Sequence, residues 1–285
     1  MGAPLLVCDL PLLMYRSFFA LPKSIKGADG QPINALLGAA NAMLAACDEY
    51  SPRAVVICDG AEGAAYRLKA FPGYHAEREP MPDALSHQFA LAPRLWSALG
   101  WVAIDAHDLE ADDLMATLAR AEAAQDGSAL ILTADRDLLQ CAAERVSVLL
   151  IKPGKGAELI GPAEVEALLG VRPDQVPDLI ALRGDPSDGI PGAPGIGAKT
   201  ATDLIARYGS LDAVLNAASE QKPRIAASLN DNCDLLRVFL DVATVRTADC
   251  ELPDDAATNH AAGADAAELL GMPKLAERLR AASSA

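Results

Sequence analysis

The sequence predicts an α/β protein in which a mostly parallel, twisted sheet with helices on both faces is followed by a helical lobe. Short apolar runs alternate with longer helical patterns in the first half of the chain, at residues 5–8, 54–58, 101–104, 129–133 and 146–151. Strands that alternate with helices in this way are typical of parallel sheets. Beyond about residue 162 the pattern is helical only. We therefore expect two lobes, residues 1–160 and 161–285.

The composition is that of a folded globular protein, with 51% hydrophobic and 22% charged residues in a chain of 285. No apolar run reaches the ~20 residues that a membrane helix needs, and no basic segment at the N-terminus indicates a secretory signal. The 6 cysteines form no Cys-x-x-Cys pair, which argues against a zinc ribbon and a disulfide framework. We expect a cytoplasmic protein that does not bind membranes.

The net charge of −15 is unusual for a protein that binds nucleic acid, because affinity for phosphate comes mostly from Lys and Arg. Two interpretations are open at this point. Either the partner is not a nucleic acid, or the excess negative charge is local and is neutralised by metal ions. A site built from many carboxylates would itself account for much of the imbalance.

The first two predicted strands each run into a carboxylate: Asp9 follows residues 5–8, and Asp59 follows residues 54–58. Between them, residues 12–21 are apolar, residues 22–32 are predicted as a loop containing Gly and Pro, and residues 34–47 are predicted as a helix. In open parallel sheets, ligands bind outside the carboxyl ends of the strands. We therefore expect Asp9 and Asp59 to lie close together at a binding site.

Residues 60–93 interrupt the alternation of strands and helices. Basic side chains are interleaved there with aromatic side chains and a histidine: Tyr66, Arg67, Lys69, Phe71, Tyr74, His75 and Arg78. This mixture suits a single-stranded nucleic acid, whose phosphates are held by charge and whose bases stack. An ordinary loop with a solvated basic face would have the same composition. We predict an irregular, partly helical insertion, and both interpretations stay open.

Acidic residues are concentrated at the start of the next predicted helix. Glu110 and Asp113 stand three positions apart and therefore share one helix face. Acidic side chains in a first helical turn interact favourably with the helix dipole, so this cluster alone does not indicate a metal site. The strand that follows leads to two further carboxylates, Asp135 and Asp137.

Nine carboxylates are predicted to converge, from the strand ends, the acidic helix and a later loop: Asp9, Asp59, Glu110, Asp112, Asp113, Asp135, Asp137, Asp185 and Asp188. Mg²⁺ binds oxygen ligands and uses few carboxylates per ion, so this set exceeds what one ion needs. Without counter-ions the carboxylates would repel one another and their pKa values would rise. Two or more ions ~4 Å apart would suit in-line displacement at phosphorus.

A glycine-rich stretch, residues 189–200, partly matches two nucleotide-binding motifs. Ala198 stands where a Walker A loop has Lys, no strand precedes the stretch, and Thr200 occupies the position of the third Gly of a dinucleotide fingerprint. We predict a helix-hairpin-helix in which backbone N–H groups and Lys199 hold a phosphate. A plain turn between two helices is the alternative.

Six groups of residues, taken in order, resemble the 5′-nuclease (flap endonuclease) family, which includes the N-terminal 5′-3′ exonuclease domain of bacterial DNA polymerase I. They are Val7-Cys8-Asp9 with Tyr15-Arg16 and Phe18-Phe19-Ala20-Leu21; Asp59 with Tyr66-Arg67; Tyr74 with Arg78 and Pro80-Met81-Pro82; Glu110-Ala111-Asp112-Asp113; Leu132-Thr133-Ala134-Asp135-Arg136-Asp137-Leu138; and Gly184-Asp185 through Thr200-Ala201. The match runs from about Leu5 to past Leu215. It implies a PIN-like sheet in residues 1–160 and a helical DNA-binding lobe in residues 161–285 that completes the active site.

The resemblance implies a metal-dependent 5′-3′ exonuclease and flap endonuclease that leaves a 5′-phosphate and acts in DNA replication and repair. The nine carboxylates would hold two or three Mg²⁺ or Mn²⁺ ions, and residues 66–92 would form the DNA-threading arch. Arg67, His75 and Arg78 would act on the scissile phosphate or the flap. DNA would also contact Arg16, Tyr74, Gly195, Gly197, Lys199 and Thr200, with a K⁺ ion at the hairpin.

The sequence departs from the family pattern at several positions. His75 stands where the family usually has Lys, and an imidazole is a poorer phosphate clamp than an ammonium group at pH 7. Leu10-Pro11 replaces the usual Gly after the first Asp, and Gly189 replaces the usual Asn. Since the chain ends after the nuclease region, we expect a free-standing, monomeric, nucleoid-associated enzyme. Its substrates would be DNA with a 5′ end, nick or 5′ flap, and RNA-primer hybrids.

Three alternatives compete with this interpretation. A family member that binds branched DNA without efficient cleavage would be expected to lack carboxylates such as Asp185 and Asp188, which are present. A PIN-type RNase would not need the hairpin of residues 184–201. A phosphohydrolase with an aspartyl nucleophile usually needs a second Asp two positions after the first, where this chain has Pro11.

Overall fold

A six-stranded sheet forms the centre of the computed structural model, which describes residues 2–152, 154 and 156–283. The strands lie in the order β3-β2-β1-β4-β5-β6, and all neighbours are parallel except β5 and β6. Their bounds are β1 (Leu5–Asp9), β2 (Ala54–Asp59), β3 (Val102–Asp105), β4 (Ala129–Thr133), β5 (Val146–Lys152) and β6 (Gly156–Ile160). The predicted mostly parallel sheet is confirmed.

Strand β6 is the one strand that the apolar pattern does not predict. It forms an antiparallel hairpin with β5, in which Val148 lies opposite Ile160 and Lys152 opposite Gly156. Its first four residues are exposed, so it lacks the buried apolar run that marks most of the other strands. An edge strand needs only one hydrogen-bonded neighbour, and its solvent-facing residues carry little information about its conformation.

Helices cover both faces of the sheet and form the second lobe. Within the described residues they are α1 (Leu10–Ala20), α2 (Asn34–Tyr50), α3 (Ala65–Ala70), α4 (Asp83–Ala98), α5 (Ala111–Ala124), α6 (Pro162–Leu169), α7 (Val176–Arg183), α8 (Ala198–Tyr208), α9 (Leu211–Asn216), α10 (Pro223–Asp231), α11 (Cys233–Ala243), α12 (His260–Leu269) and α13 (Pro273–Ser283). No helix among these described residues has the length and hydropathy of a membrane span.

The central strands are buried on both faces, which fixes their register. Leu5 and Val7 of β1 pack in one core layer with α5, whereas Leu6 and Cys8 pack in the other with α1, α2 and α4. A slip of one residue would exchange the two faces, so the alternation specifies the alignment. Asp59 lies opposite Asp105 in the ladder, and Asp9 lies opposite Cys58. The strand-end carboxylates therefore meet at one edge of the sheet.

The two core layers extend into different parts of the helical lobe. Leu179 of α7 and Phe239 of α11 continue the layer that contains α5. Ala267 of α12 and Leu275 of α13 pack instead with Trp96 of α4, in the opposite layer. The last two helices therefore return to the α/β lobe, whereas the predicted boundary near residue 160 placed them with the helical lobe.

Candidate active site

A cleft of about 700 Å³ opens at the carboxyl ends of the parallel strands, and both lobes line it. Six of the predicted carboxylates line this cleft: Asp9, Asp59, Glu110, Asp112, Asp135 and Asp188. Two more, Asp137 and Asp185, interact electrostatically with Asp135. The structure therefore brings together eight of the nine residues, at the edge where ligands of parallel sheets bind.

Asp9 ends β1 and caps the N-terminus of α1, so its carboxylate is held from two sides. Oδ1 accepts the Leu12 N–H at 3.1 Å, and Oδ2 accepts the Thr133 hydroxyl at 2.7 Å. Burial raises the pKa of Asp9 to about 7; the two hydrogen bonds oppose this shift, and the charges of Asp135 and Asp59 add to it. Thr133 was not predicted as a site residue, although a hydroxyl at the end of a buried strand is a usable signal.

The loop after β4 supplies Asp135 and Asp137. The Asp135 N–H donates to Thr133 Oγ1 at 3.0 Å, and Asp135 Oδ1 accepts the Asp137 N–H at 2.8 Å. Burial raises the pKa of Asp135 to about 6; the bond from Asp137 opposes the shift, and Asp188 adds to it. Burial also raises the pKa of Asp112 and of Asp137, and in both the next cause is the charge of Asp135. Repulsion between their negative charges therefore makes it unfavourable for all of these carboxylates to be ionised at once.

A tight loop between α7 and α8 presents Asp185 and Asp188 to the other carboxylates. Asp185 and Ile190 exchange backbone hydrogen bonds of 2.7 and 2.8 Å, which close the loop. Gly192 has a φ of +68°, and a Cβ there would overlap the backbone nitrogen of Gly184. Only glycine fits this conformation and this close approach. The glycines therefore allow the loop to hold Asp185 and Asp188 near the other carboxylates.

His75 and Arg78 are the basic side chains that line the cleft. The Nδ1 of His75 lies 2.8 Å from the Glu62 carbonyl oxygen, and its Nε2 lies 3.1 Å from Asp188 Oδ1. Since both neighbours are acceptors, only a doubly protonated ring donates to both. Arg78 is half-exposed and its Nη2 lies 3.5 Å from the same Asp188 oxygen. Arg16, predicted to contact DNA, is half-buried on α1 and does not line the cleft.

Arg67 is buried between two of the predicted metal ligands. Its Nη1 forms an ion pair with Glu110 Oε2 at 2.6 Å, and its Nη2 donates to Asp113 Oδ1 at 3.2 Å. Its Nε donates to the Val242 carbonyl of α11 at 2.9 Å. Only 3% of Arg67 is exposed, so the guanidinium faces the core. In this structure Arg67 holds Glu110 in place, and its contact with the scissile phosphate stays a prediction.

Asp113 is fully buried and does not line the cleft. Besides the bond from Arg67, its carboxylate accepts the Tyr66 hydroxyl at 3.2 Å, the Arg246 N–H at 2.7 Å and the Glu110 N–H at 3.3 Å. These donors occupy both oxygens in this structure, and the role of Asp113 as a metal ligand stays a prediction. Its position on the helix directs it to the core, whereas the adjacent Asp112 faces the cleft.

Tyr74 lines the cleft but is mostly buried, with 3% of its surface exposed. Its hydroxyl donates to Glu110 Oε2 at 2.9 Å, and its ring stacks on His75 with centroids 3.7 Å apart. The other oxygen of Glu110 accepts the Ala64 N–H at 2.7 Å. In this structure the side chain orients Glu110 and His75, and direct binding of DNA by Tyr74 stays a prediction.

The predicted hairpin residues lie at the surface where α8 begins: Gly195, Gly197 and Lys199 are exposed, and Thr200 is partly exposed. Gly197 occupies the N-cap position of α8, so its neighbours point N–H groups outward. The Arg224 guanidinium lies over Gly195, because a Cβ built there would be 3.3 Å from Arg224 Nε. Arg224 was not predicted, since it lies on α10 and only the fold brings it to the hairpin.

The carboxylates of the cleft are chemically suited to hard divalent cations, although they do not form a closed set of ligands around one position. Within the described residues, no three His, Cys, Asp or Glu side chains form a group that could hold one metal ion. The carboxylates are distributed along the cleft, supply only oxygen ligands, and raise one another's pKa values. Positive charge among them would relieve that repulsion.

Two family models match consecutive parts of the chain. The 5′-3′ exonuclease N-terminal resolvase-like domain matches residues 4–170, and the 5′-3′ exonuclease C-terminal SAM fold matches residues 171–267. A 5′-3′ exonuclease of Mycobacterium tuberculosis is 36% identical over 250 residues, covering 80% of this chain and 78% of that protein. The thermostable DNA polymerase I of Thermus thermophilus is 38% identical over 85% of this chain, which spans only 28% of the polymerase.

Solved structures with low sequence identity share the fold over nearly the whole chain. The bacteriophage T5 D15 protein, co-crystallised with metal ions, superposes with a TM-score of 0.69 at 18% identity, covering 98% of both chains. The catalytic core of Rad2 in complex with a DNA substrate gives a TM-score of 0.65 at 13% identity, covering 98% of this chain and 93% of that one. With its two family models matching residues 4–267, the chain belongs to the 5′-3′ exonuclease family, as the sequence motifs predicted.

Proposed function

We propose that this chain is a divalent-metal-dependent 5′ nuclease that hydrolyses DNA phosphodiesters near 5′ ends, nicks and flap junctions and leaves a 5′-phosphate. The observation that carries the proposal is the shared cleft, which is lined by Asp9 and Asp59 at strand ends, by Asp135 in the loop after β4 and by Asp188 of the second lobe. The family and the named activity of the M. tuberculosis relative support it. The T5 and Rad2 structures, obtained with metal ions and with DNA, are consistent with it.

The residues that would hold the cations are the six carboxylates of the cleft together with Asp137 and Asp185. Two or three Mg²⁺ or Mn²⁺ ions bound there would stabilise charge on the scissile phosphate and activate the attacking water. The chain's own contribution is to orient the ligands. Thr133 fixes Asp9, while Arg67 and Tyr74 fix Glu110. Such supporting contacts keep ligands in place between turnovers.

Arg78 would bind the substrate phosphate. Its guanidinium presents several N–H donors in one plane, which match the oxygens of a phosphate. In the structure it lies 3.5 Å from Asp188, beside the carboxylates, and half of its side chain is open to solvent. His75 is tied to Glu62 and Asp188 on its two ring nitrogens, so it supports this loop and offers phosphate a weaker contact.

The duplex part of the substrate would lie on the hairpin of the second lobe. Gly197 and Lys199 offer N–H groups and a positive charge at the start of α8, where phosphate is favoured. Contacts of this kind set the register of DNA without reading its sequence. We also propose that a K⁺ ion binds at this hairpin and that RNA-primer hybrids are substrates. We propose further that the enzyme is a monomer that associates with the nucleoid.

The test uses labelled duplexes that carry a 5′ flap or a nick, with Mg²⁺, with Mn²⁺ or with EDTA. We expect cleavage with either cation and none with EDTA. Asp135→Asn should abolish cleavage and leave flap binding within a few-fold of wild type. Asp105→Asn is the matched control, because Asp105 also ends a strand but its side chain is 63% exposed and does not line the cleft.

Each contrary result identifies a different alternative. Full activity of Asp135→Asn, or cleavage in EDTA, would contradict a metal site at these carboxylates. Binding of flap DNA by the wild-type protein without cleavage would favour a non-cleaving family member. Cleavage of single-stranded RNA with no cleavage of flap DNA would favour an RNase.

A further inference from the structure

Gln140 joins the loop that carries Asp137 to the second lobe. Its amide nitrogen donates to the Asp137 carbonyl at 2.9 Å and to the Ala243 carbonyl of α11 at 3.0 Å. Its amide oxygen accepts the Val245 N–H at 3.1 Å. Gln140 itself does not line the cleft. We propose, on the basis of the 5′-nuclease function, that Gln140 is a positioning residue that fixes Asp137 against α11 and thereby strengthens cation binding at the carboxylates.

The groups around the Gln140 amide are satisfied in one orientation of that amide. A carbonyl oxygen only accepts and a backbone N–H only donates, so the amide nitrogen faces Asp137 and Ala243 while the oxygen faces Val245. Both N–H groups of the amide are then used. An aliphatic side chain cannot replace these bonds, and a shorter amide cannot span the two carbonyls. The link therefore depends on an amide at the length of glutamine.

Both backbone groups of Asp137 are hydrogen-bonded to side chains. Its N–H donates to Asp135 Oδ1 at 2.8 Å, and its carbonyl accepts from Gln140. Asp137 also begins a short 3₁₀-helix, Asp137–Cys141, whose two leucines are fully buried. With the peptide groups on both sides fixed, only the side-chain torsions of Asp137 stay free. Carboxylates held in this way lose less freedom when they bind a cation.

The contact on the second lobe is the C-terminal end of α11, where the last backbone carbonyls have no partner within the helix. Side chains of the α/β lobe supply partners for this stretch. Arg67 of α3 donates to the Val242 carbonyl at 2.9 Å. Asp113 of α5 accepts the Arg246 N–H at 2.7 Å. Gln140 binds the backbone between these two positions, so one short stretch supports α3, α5 and the turn of Asp137.

The link matters because carboxylates from both lobes form the site. Asp137 interacts electrostatically with Asp185 and Asp188, which follow α7 in the second lobe. Helices α7 and α11 pack in the same core layer. By tying Asp137 to α11, Gln140 holds it in line with the acidic loop after α7. Cations shared between the lobes require such a fixed spacing of their ligands.

The experiment measures binding of Mn²⁺ to the DNA-free protein by electron paramagnetic resonance, which detects the free ion. Gln140→Met keeps much of the side-chain length and removes all three hydrogen bonds. We expect the Kd for Mn²⁺ to rise about tenfold, the lower end of the range for contacts that support metal ligands. On a 5′-flap duplex, the Mn²⁺ concentration that gives the half-maximal rate should rise in parallel, while the KM for DNA stays near wild type.

Gln221→Met is the matched control. Gln221 is also partly buried, and its amide nitrogen donates to the Tyr208 hydroxyl at 2.7 Å and to the Ala217 carbonyl at 3.2 Å, outside the cleft. This variant should lose stability in urea and keep the wild-type Kd for Mn²⁺. Gln140→Asn is a milder second variant that keeps a polar amide but is one methylene too short. It should also bind Mn²⁺ more weakly, and it carries the test if the methionine variant does not fold.

An unchanged Kd for Mn²⁺ in a folded Gln140 variant would refute the positioning role and leave the nuclease proposal intact. Equal weakening by Gln221→Met would also refute it, because the effect would then be a general consequence of lost stability. A wild-type protein that neither binds Mn²⁺ nor cleaves the flap would instead contradict the nuclease function.

Discussion

Replacement of Arg67 by Met separates a structural role from a DNA contact at the same residue. Met retains much of the apolar length of the side chain and removes the guanidinium. Glu110 and Asp113, which are 7% and 0% exposed, would then lose their cation. Breaking a buried ion pair by removing one partner costs about 3–5 kcal/mol, because the remaining charge is uncompensated. Loss of the bond to the Val242 carbonyl adds about 1 kcal/mol.

The sign of this effect depends on whether the charged guanidinium is stabilised where it lies. Burial alone would lower the pKa of Arg67, yet the neighbouring carboxylates of Glu110 and Asp113 raise it above its ordinary value. The charge is therefore favoured in the folded state, and its removal should destabilise the protein. A domain is typically stable by about 5–15 kcal/mol, so a loss of about 4–6 kcal/mol would be a large fraction of the total.

Urea denaturation followed by circular dichroism measures the effect. Arg78→Met is the matched control, because Arg78 belongs to the same segment but is half-exposed; its loss should change the free energy of unfolding by less than about 0.5 kcal/mol. Arg67→Met combined with Asp113→Asn should recover part of the stability, since one uncompensated charge is gone. The reasoning is refuted if Arg67→Met unfolds like the wild type while its affinity for DNA falls.

Three further predictions concern the carboxylates and the hairpin. Asp185→Asn should abolish cleavage of a 5′ flap while gel-shift affinity stays near wild type; an active variant would remove Asp185 from the site. Lys199→Ala should weaken duplex binding and reduce the slope of log K against log salt by about 1, and an unchanged slope would place Lys199 outside the interface. Without metal, Tm should fall from pH 4 to 7. The pKa values of Asp9, about 7, and Asp135, about 6, exceed the unfolded values, so the folded state holds more protons there and loses stability as they leave. Scanning calorimetry in EDTA measures this, and a Tm that rises with pH would contradict it.

Strand-end carboxylates could be predicted from sequence because a parallel sheet sets their position by itself. Asp9 and Asp59 each end a buried apolar strand, and the register then places both at one edge. Spacing along α5 was less informative. Glu110 and Asp113 do share a side, as their three-residue separation predicts, but the partner they share there is Arg67. Helical spacing specifies which residues are neighbours, and it does not specify whether they face solvent or core.

Arg67 and Arg78 show why composition could not assign the arch residues. Both are basic residues among aromatic ones, and both were predicted to act on the phosphate. The difference arises from contacts distant in sequence, since Arg67 is fixed by a carbonyl of Val242 on α11 and by Glu110. Arg78 follows the turn at His75 and has no such partner beneath it. Tertiary packing, which depends on the whole fold, decides which arginine is available to a substrate.

The net charge of −15 is compatible with DNA binding once the distribution of charge is considered. Several arginines, such as Arg53 and Arg237, are each occupied by two acidic partners and contribute little outward potential. Lys199 and Arg224 form no ion pair with a described acidic residue, and both lie at the hairpin. The potential that a phosphate meets depends on such local groups and not on the sum over the chain.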